Sequence, residues 1–187
     1  MYTMNTAVTI VAHPDDCVIF GWTFMHHHPG LAWSIVYLTY TADSDRGREL
    51  RKFWNQRRIP TTFLGFRDDY QDQEQGRLLH WTREQAREAC WAAVRDADLV
   101  LTHAEDGDYG HIHHCVVHDA VNRHPRLVTF APVNDGDCCY HLPADAWQDH
   151  ELPRHASIVR GFHPGQHVNS YAMSQDTARW LEAQRCI

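Results

Sequence analysis

At 187 residues the chain has the length of one domain with a full hydrophobic core, needing neither disulfides nor a structural metal to fold. Its 43% hydrophobic and 22% charged residues suit a globular protein, its apolar runs are far shorter than a membrane span, and a formal charge of −7 argues against general nucleic-acid binding. The lone lysine, Lys52, rules out a G-x-x-x-x-G-K-[ST] phosphate loop and disfavours Schiff-base chemistry.

Residues 1–6 carry no basic region and run straight into an apolar segment, so no signal peptide or membrane anchor is expected and a cytoplasmic address is the default. The run from Ala7 to Ala12 predicts a buried strand, and it ends on His13-Pro14-Asp15-Asp16. Pro14 stiffens that turn and keeps His13 extended. A helix is expected from Cys17 to His28, where His26, His27 and His28 before Pro29-Gly30 suit a helix end. Ala32 to Thr39 predicts a second strand. Asp45 to Arg58 predicts a helix crowded with Arg46, Arg48, Arg51, Lys52, Arg57 and Arg58, read mainly as a solvated face.

Further strands are expected at Thr61 to Leu64, Asp98 to Thr102 and Leu127 to Phe130. Helices are expected at Thr82 to Ala97, opened by a Thr82-Arg83-Glu84-Gln85 cap, and at His113 to His124. Pro132 to Gly165 reads as irregular loops with one short strand pair near Cys139 to Leu142, and a last helix runs from Ser174 to about Gln184. No repeat or linker divides the chain, so residues 1–187 form one domain. Strands alternating with helices define an α/β class, a mainly parallel sheet of about five strands covered by helices. The six cysteines include no C-x-x-C pair and are read as reduced, with the neighbours Cys138 and Cys139 facing opposite ways.

In such a sheet functional groups gather beyond the carboxyl ends of the strands. His13-Pro14-Asp15-Asp16 falls there, and so does the segment from Thr102 through Tyr109-Gly110-His111-Ile112-His113-His114. A hydrolytic zinc needs three His or carboxylate ligands and one open position for water. His13, Asp16 and His114 supply that set, and Asp15 is left to act on the water. The spacing places His111, His114 and His118 on one helical face and turns His113 elsewhere.

These blocks, Ala12-His13-Pro14-Asp15-Asp16, Phe63-Leu64-Gly65-Phe66-Arg67-Asp68, Thr102-His103 and Tyr109-Gly110-His111-x-x-His114-x-x-x-His118, resemble the LmbE-like (PIG-L) superfamily of zinc-dependent N-deacetylases. The resemblance spans residues 7–118; residues 132–187 match weakly, through Tyr171-Ala172-Met173-Ser174-Gln175. It implies a Rossmann-like three-layer fold and removal of an acetyl group from an N-acetylated amino sugar or related small molecule. It further implies His13, Asp16 and His114 as ligands of Zn2+, with Fe2+ an alternative, and Asp15 as general base. A protonated His111 and the Tyr109 hydroxyl would stabilise the oxyanion, and Asp68 with Arg46 or Arg48 would hold substrate. The chain departs from the family where a glutamate usually follows the second aspartate, here Cys17, and where proline and aspartate are usual inside the second motif, here Ile112 and His113.

Two other classes fit parts of the pattern: a non-catalytic α/β module that kept the fold and binds metal or ligand, and an acidic interaction protein whose sixteen histidines sense pH. Asp15 and His111 weigh against the first, since a purely structural zinc needs neither, and metal content separates the enzyme from the second. A homo-oligomer is compatible with the aromatic content.

Overall fold

The computed structural model describes residues 5–68, 80–131 and 170–184. The expected strand pair at Cys139 to Leu142, the loops from Pro132 to Gly165, and Cys138, Cys139 and Cys186 lie outside the described residues.

Among the described residues six strands form one sheet: β1 (Thr6–Val11), β2 (Ala32–Thr39), β3 (Thr61–Phe66), β4 (Leu99–Thr102), β5 (Leu127–Ala131) and β6 (Ser170–Met173). Their order is β3-β2-β1-β4-β5-β6. The first five pair in parallel, and β6 joins antiparallel on β5 with Phe130 opposite Tyr171. The apolar runs predict five strands. The sixth has only four residues, Ser-Tyr-Ala-Met, too few to show an alternation, and pairing with β5 is what makes it a strand.

Period-two alternation splits each strand between two layers. Ala7, Val11, Ile35, Tyr37, Leu99 and Leu101 face a core closed by Val18, Phe20, Phe24, Leu50, Trp54 and Leu181. That layer is built from α1 (Trp22–His27), α2 (Asp45–Gln56) and α6 (Gln175–Gln184). Val8, Ile10, Val36, Leu38 and Val100 face the opposite layer, where Ala86, Cys90 and Val94 of α3 (Arg83–Val94) meet Val116, Val117 and Val121 of α5 (Ile112–Val121). Thr82 caps α3 with the full reciprocal box expected of it, its hydroxyl accepting from the Gln85 amide and the Gln85 side chain accepting from the Thr82 amide.

The helix expected from Cys17 to His28 is instead a π-helical turn, Cys17–Gly21, that passes into the short α1. The Tyr171 hydroxyl of β6 inserts into the ladder there, donating to the Phe20 carbonyl at 2.8 Å and accepting from the Phe24 amide at 3.2 Å. A group inserted into the i to i−4 ladder is a known cause of such irregularity. The chain winds from β1 outward to β2 and β3, then returns to β4 on the other side of β1. The crevice at that reversal is where α/β sheets place ligands.

Candidate active site

Four strand ends and one helix start converge at this crevice. The turn after β1 delivers His13, Asp15 and Asp16; β2 runs into Tyr40, β3 into Asp68, and β4 into His103. A single broken turn, α4 (Gly107–Gly110), leads to His111, which caps α5 by accepting the His113 amide on Nδ1 at 3.2 Å. Gly107 has φ +75°, and a Cβ there would lie 2.7 Å from the Cys115 sulfur, so this approach to α5 requires glycine.

Three donors form a nearly equilateral triangle. His13 Nδ1 lies 3.3 Å from Asp16 Oδ2, His114 Nε2 lies 3.4 Å from the same oxygen, and the two imidazole nitrogens are 3.3 Å apart. Tetrahedral coordination with metal bonds of about 2.0–2.1 Å places adjacent donors about 3.3–3.4 Å apart. The residues therefore fit a tetrahedral cation with one open position. All three are buried. Burial alone would raise the Asp16 carboxyl, but the imidazoles of His114 and His13 outweigh it and hold the group well below the usual carboxylate range. It is ionised and ready to coordinate.

Asp108 holds this set in place. Its Oδ2 lies 2.8 Å from His114 Nδ1 and 2.5 Å from His103 Nδ1, and its Oδ1 accepts the Ala104 amide at 3.0 Å. A carboxylate accepting the second N–H of a ligating histidine fixes both tautomer and ring orientation. His103 Nε2 accepts the Ala12 amide at 3.0 Å, and the ring stacks on His114 with centroids 3.8 Å apart. With both nitrogens engaged, His103 braces the site. Spacing does not single out Asp108 among Glu105, Asp106 and Asp108; in the fold it stands at φ 68° with its amide held by Asp106 and its carboxylate on His103 and His114.

Asp15 Oδ1 meets the Arg46 guanidinium at 3.0 Å. Burial raises the Asp15 carboxyl above its ordinary value and the adjacent Asp16 charge adds to this, with Arg46 opposing. Arg46 Nη1 also donates to the Tyr40 hydroxyl at 2.9 Å, which donates to Asp68 Oδ2 at 2.8 Å. Asp68 Oδ1 is 3.4 Å from His13 Nε2, so a continuous chain of contacts runs from Asp15 to the far nitrogen of His13. Asp15, Arg46, Asp68, Tyr109 and His111 line one cavity of about 200 Å3 with His13 and Asp16. Tyr109 is 44% exposed at its mouth, edge-on to His111 and His114.

Several expectations need correction. Arg48 is not in the cavity; it is bound to the Asp43 carbonyl and Asp45 at the exposed start of α2, because two residues beyond Arg46 the helix has turned its side chain away. His111 is not the imidazolium expected but a neutral ring with one proton. Burial, followed by the imidazoles of His114, His13 and His113, pushes its pKa down to about 2, and the accepted His113 amide leaves Nε2 as the proton-bearing nitrogen. His113 does not point elsewhere: its Nδ1 lies 3.0 Å from His13 Nε2. His118 lies four residues after His114 along α5, with Asp119 Oδ1 3.8 Å from its Nδ1. Cys17 turns into the core, its sulfur 2.8 Å from the Tyr37 hydroxyl.

A doubly wound α/β sheet with a buried His and Asp triangle at its reversal point defines a metal-site class of enzyme fold. Residues 8–124 match the PIG-L family, GlcNAc-PI de-N-acetylase, and the chain belongs to that family. No individually curated protein matches the sequence. Among solved structures, a deacetylase of the teicoplanin biosynthesis pathway in its bog complex is similar at 16% identity and a TM-score of 0.51, the alignment covering 67% of this chain and 66% of that one. A conserved protein from Thermus thermophilus is similar at 20% identity and a TM-score of 0.51, covering 98% of this chain and 86% of that one. At these identities the likeness is one of fold. Among the described residues no helix is long and apolar enough to cross a membrane.

Proposed function

We propose that the protein is a metal-dependent hydrolase that removes the acetyl group from the amide nitrogen of an N-acetylated amino sugar or related small molecule. The observation that carries this reading is the triangle of His13, Asp16 and His114, with an Asp15 carboxyl beside it that does not belong to the triangle. A divalent cation there, zinc first and Fe2+ as the alternative, would bring the pKa of water to about 7 and polarise an amide carbonyl.

The remaining work falls to the protein. Asp15, kept in place by Arg46, accepts the proton of the attacking water and returns it to the departing amine. The neutral His111 ring, through Nε2–H, and the Tyr109 hydroxyl donate to the carbonyl oxygen as it gains charge, an effect worth about 3–4 kcal/mol per donor. Asp68 and Arg46 line the same cavity and are the groups available to substrate hydroxyls. Enclosure of Asp16 and the imidazoles strengthens each of these interactions by keeping bulk water out.

The test is release of acetate from a panel of N-acetylated amino sugars by zinc-loaded protein. Acetate from at least one, falling at least about 100-fold in Asp15→Asn, is expected. Acetate from none, or undiminished release by the variant, would overturn the assignment.

A further inference from the structure

We propose that His113 is the positioning residue for His13, accepting the proton on Nε2 and so presenting Nδ1 to the metal; this rests on the reading of His13 as a ligand. His13 has a neighbour on each side. Nδ1 faces Asp16 Oδ2 and His114 Nε2, both at 3.3 Å, within the donor triangle. Nε2 faces His113 Nδ1 at 3.0 Å. A nitrogen that coordinates a cation carries no proton, so in the neutral ring the proton belongs on Nε2. The nearest acceptor is His113 Nδ1; the Asp68 oxygen is farther, at 3.4 Å.

His113 is well placed for this. It is fully buried, its amide is fixed by His111 Nδ1, and its ring lies against Trp81 with centroids 5.3 Å apart. The two ligating imidazoles are thus held by unlike partners: His114 by the Asp108 carboxylate, His13 by a neutral imidazole. A neutral acceptor draws less on the N–H than a carboxylate does, so His13 is the less basic ligand of the pair. His113 thereby sets both the orientation of His13 and the strength of its grip.

The experiment compares Co2+ dissociation constants by chelator competition, with the cobalt absorption spectrum recorded, for wild type, His113→Asn, His113→Leu and Asp68→Asn. The asparagine carbonyl oxygen occupies nearly the place of Nδ1, so His113→Asn is expected to bind Co2+ within about threefold of wild type. His113→Leu removes the acceptor and is expected to weaken binding about 10–100-fold, with an altered spectrum. A merely space-filling role would make the two variants alike. Equal affinities for Asn and Leu, or a loss confined to Asp68→Asn, would overturn the proposal. So would a second cobalt equivalent in wild type that disappears in His113→Leu, because Nε2 would then itself be a ligand. Wild type that binds no Co2+ would refute the metal reading on its own.

Discussion

Replacing Asp108 by asparagine perturbs the site without touching a metal donor. Asp108 accepts three N–H groups, from His114, His103 and Ala104, and it is buried. Asparagine offers one carbonyl oxygen, so if that oxygen serves the two imidazoles, its NH2 group faces the Ala104 amide, donor against donor. A buried donor left without an acceptor costs about 1–3 kcal/mol. The same change replaces a carboxylate behind His114 with a neutral acceptor, and changes of that kind typically weaken metal binding about 10–100-fold, or about 1.4–2.7 kcal/mol. Urea unfolding of the metal-free protein reads the first effect, and chelator competition with Zn2+ reads the second. A folded Asp108→Asn protein with zinc affinity within about twofold of wild type would refute the reasoning.

Asp15→Asn is expected to retain zinc at wild-type stoichiometry, because Asp15 lies outside the donor triangle; loss of the metal would make Asp15 a ligand. Arg46→Ala removes the contact that holds Asp15 and is expected to lower kcat about 10-fold or more, whereas Arg48→Ala, on the exposed start of α2, is expected to leave activity unchanged. Equal effects of the two would contradict the placement. His111 is neutral in the fold, its pKa pushed to about 2 by burial and by three neighbouring imidazoles. Unfolded, it titrates near 6.5. Its contribution to stability is therefore intact above about pH 6.5 and is lost as pH falls, about 1.4 kcal/mol between pH 7.5 and 5.5. Urea midpoints of metal-free wild type should show this loss and those of His111→Asn should not; parallel pH slopes would refute it. Thr82→Ala removes the hydroxyl of the α3 cap and is expected to cost about 1 kcal/mol without affecting zinc binding.

What could be read from the chain itself follows the range of the forces involved. Strands β1, β2 and β4 are continuous apolar runs because both faces are buried, and such runs are visible locally. The Thr82 cap is equally local, since all its partners lie within three residues. His13, Asp15, Asp16 and His114 were recognisable because a strand end and a helix start impose short fixed spacings. His113 escaped because a 3.6-residue period taken from His111 assigns it to another face. His111, with ψ 122°, is still outside the helix, so that period begins only at Ile112. Tyr40 is hidden for a related reason: it stands just past β2 at φ 63°, where no strand period assigns its side chain a face, and its hydroxyl lies between Arg46 and Asp68. The π-turn at Cys17–Gly21 depends on Tyr171, some 150 residues later, and no local pattern carries that.

Whether the triangle holds a cation is decided by the metal content of chelated and zinc-reloaded protein, made without a histidine tag, with Asp16→Ala and His114→Ala alongside. About one zinc per wild-type chain and nearly none in either variant are expected. A wild type that retains no zinc, or variants that retain as much as wild type, would contradict a cation site there.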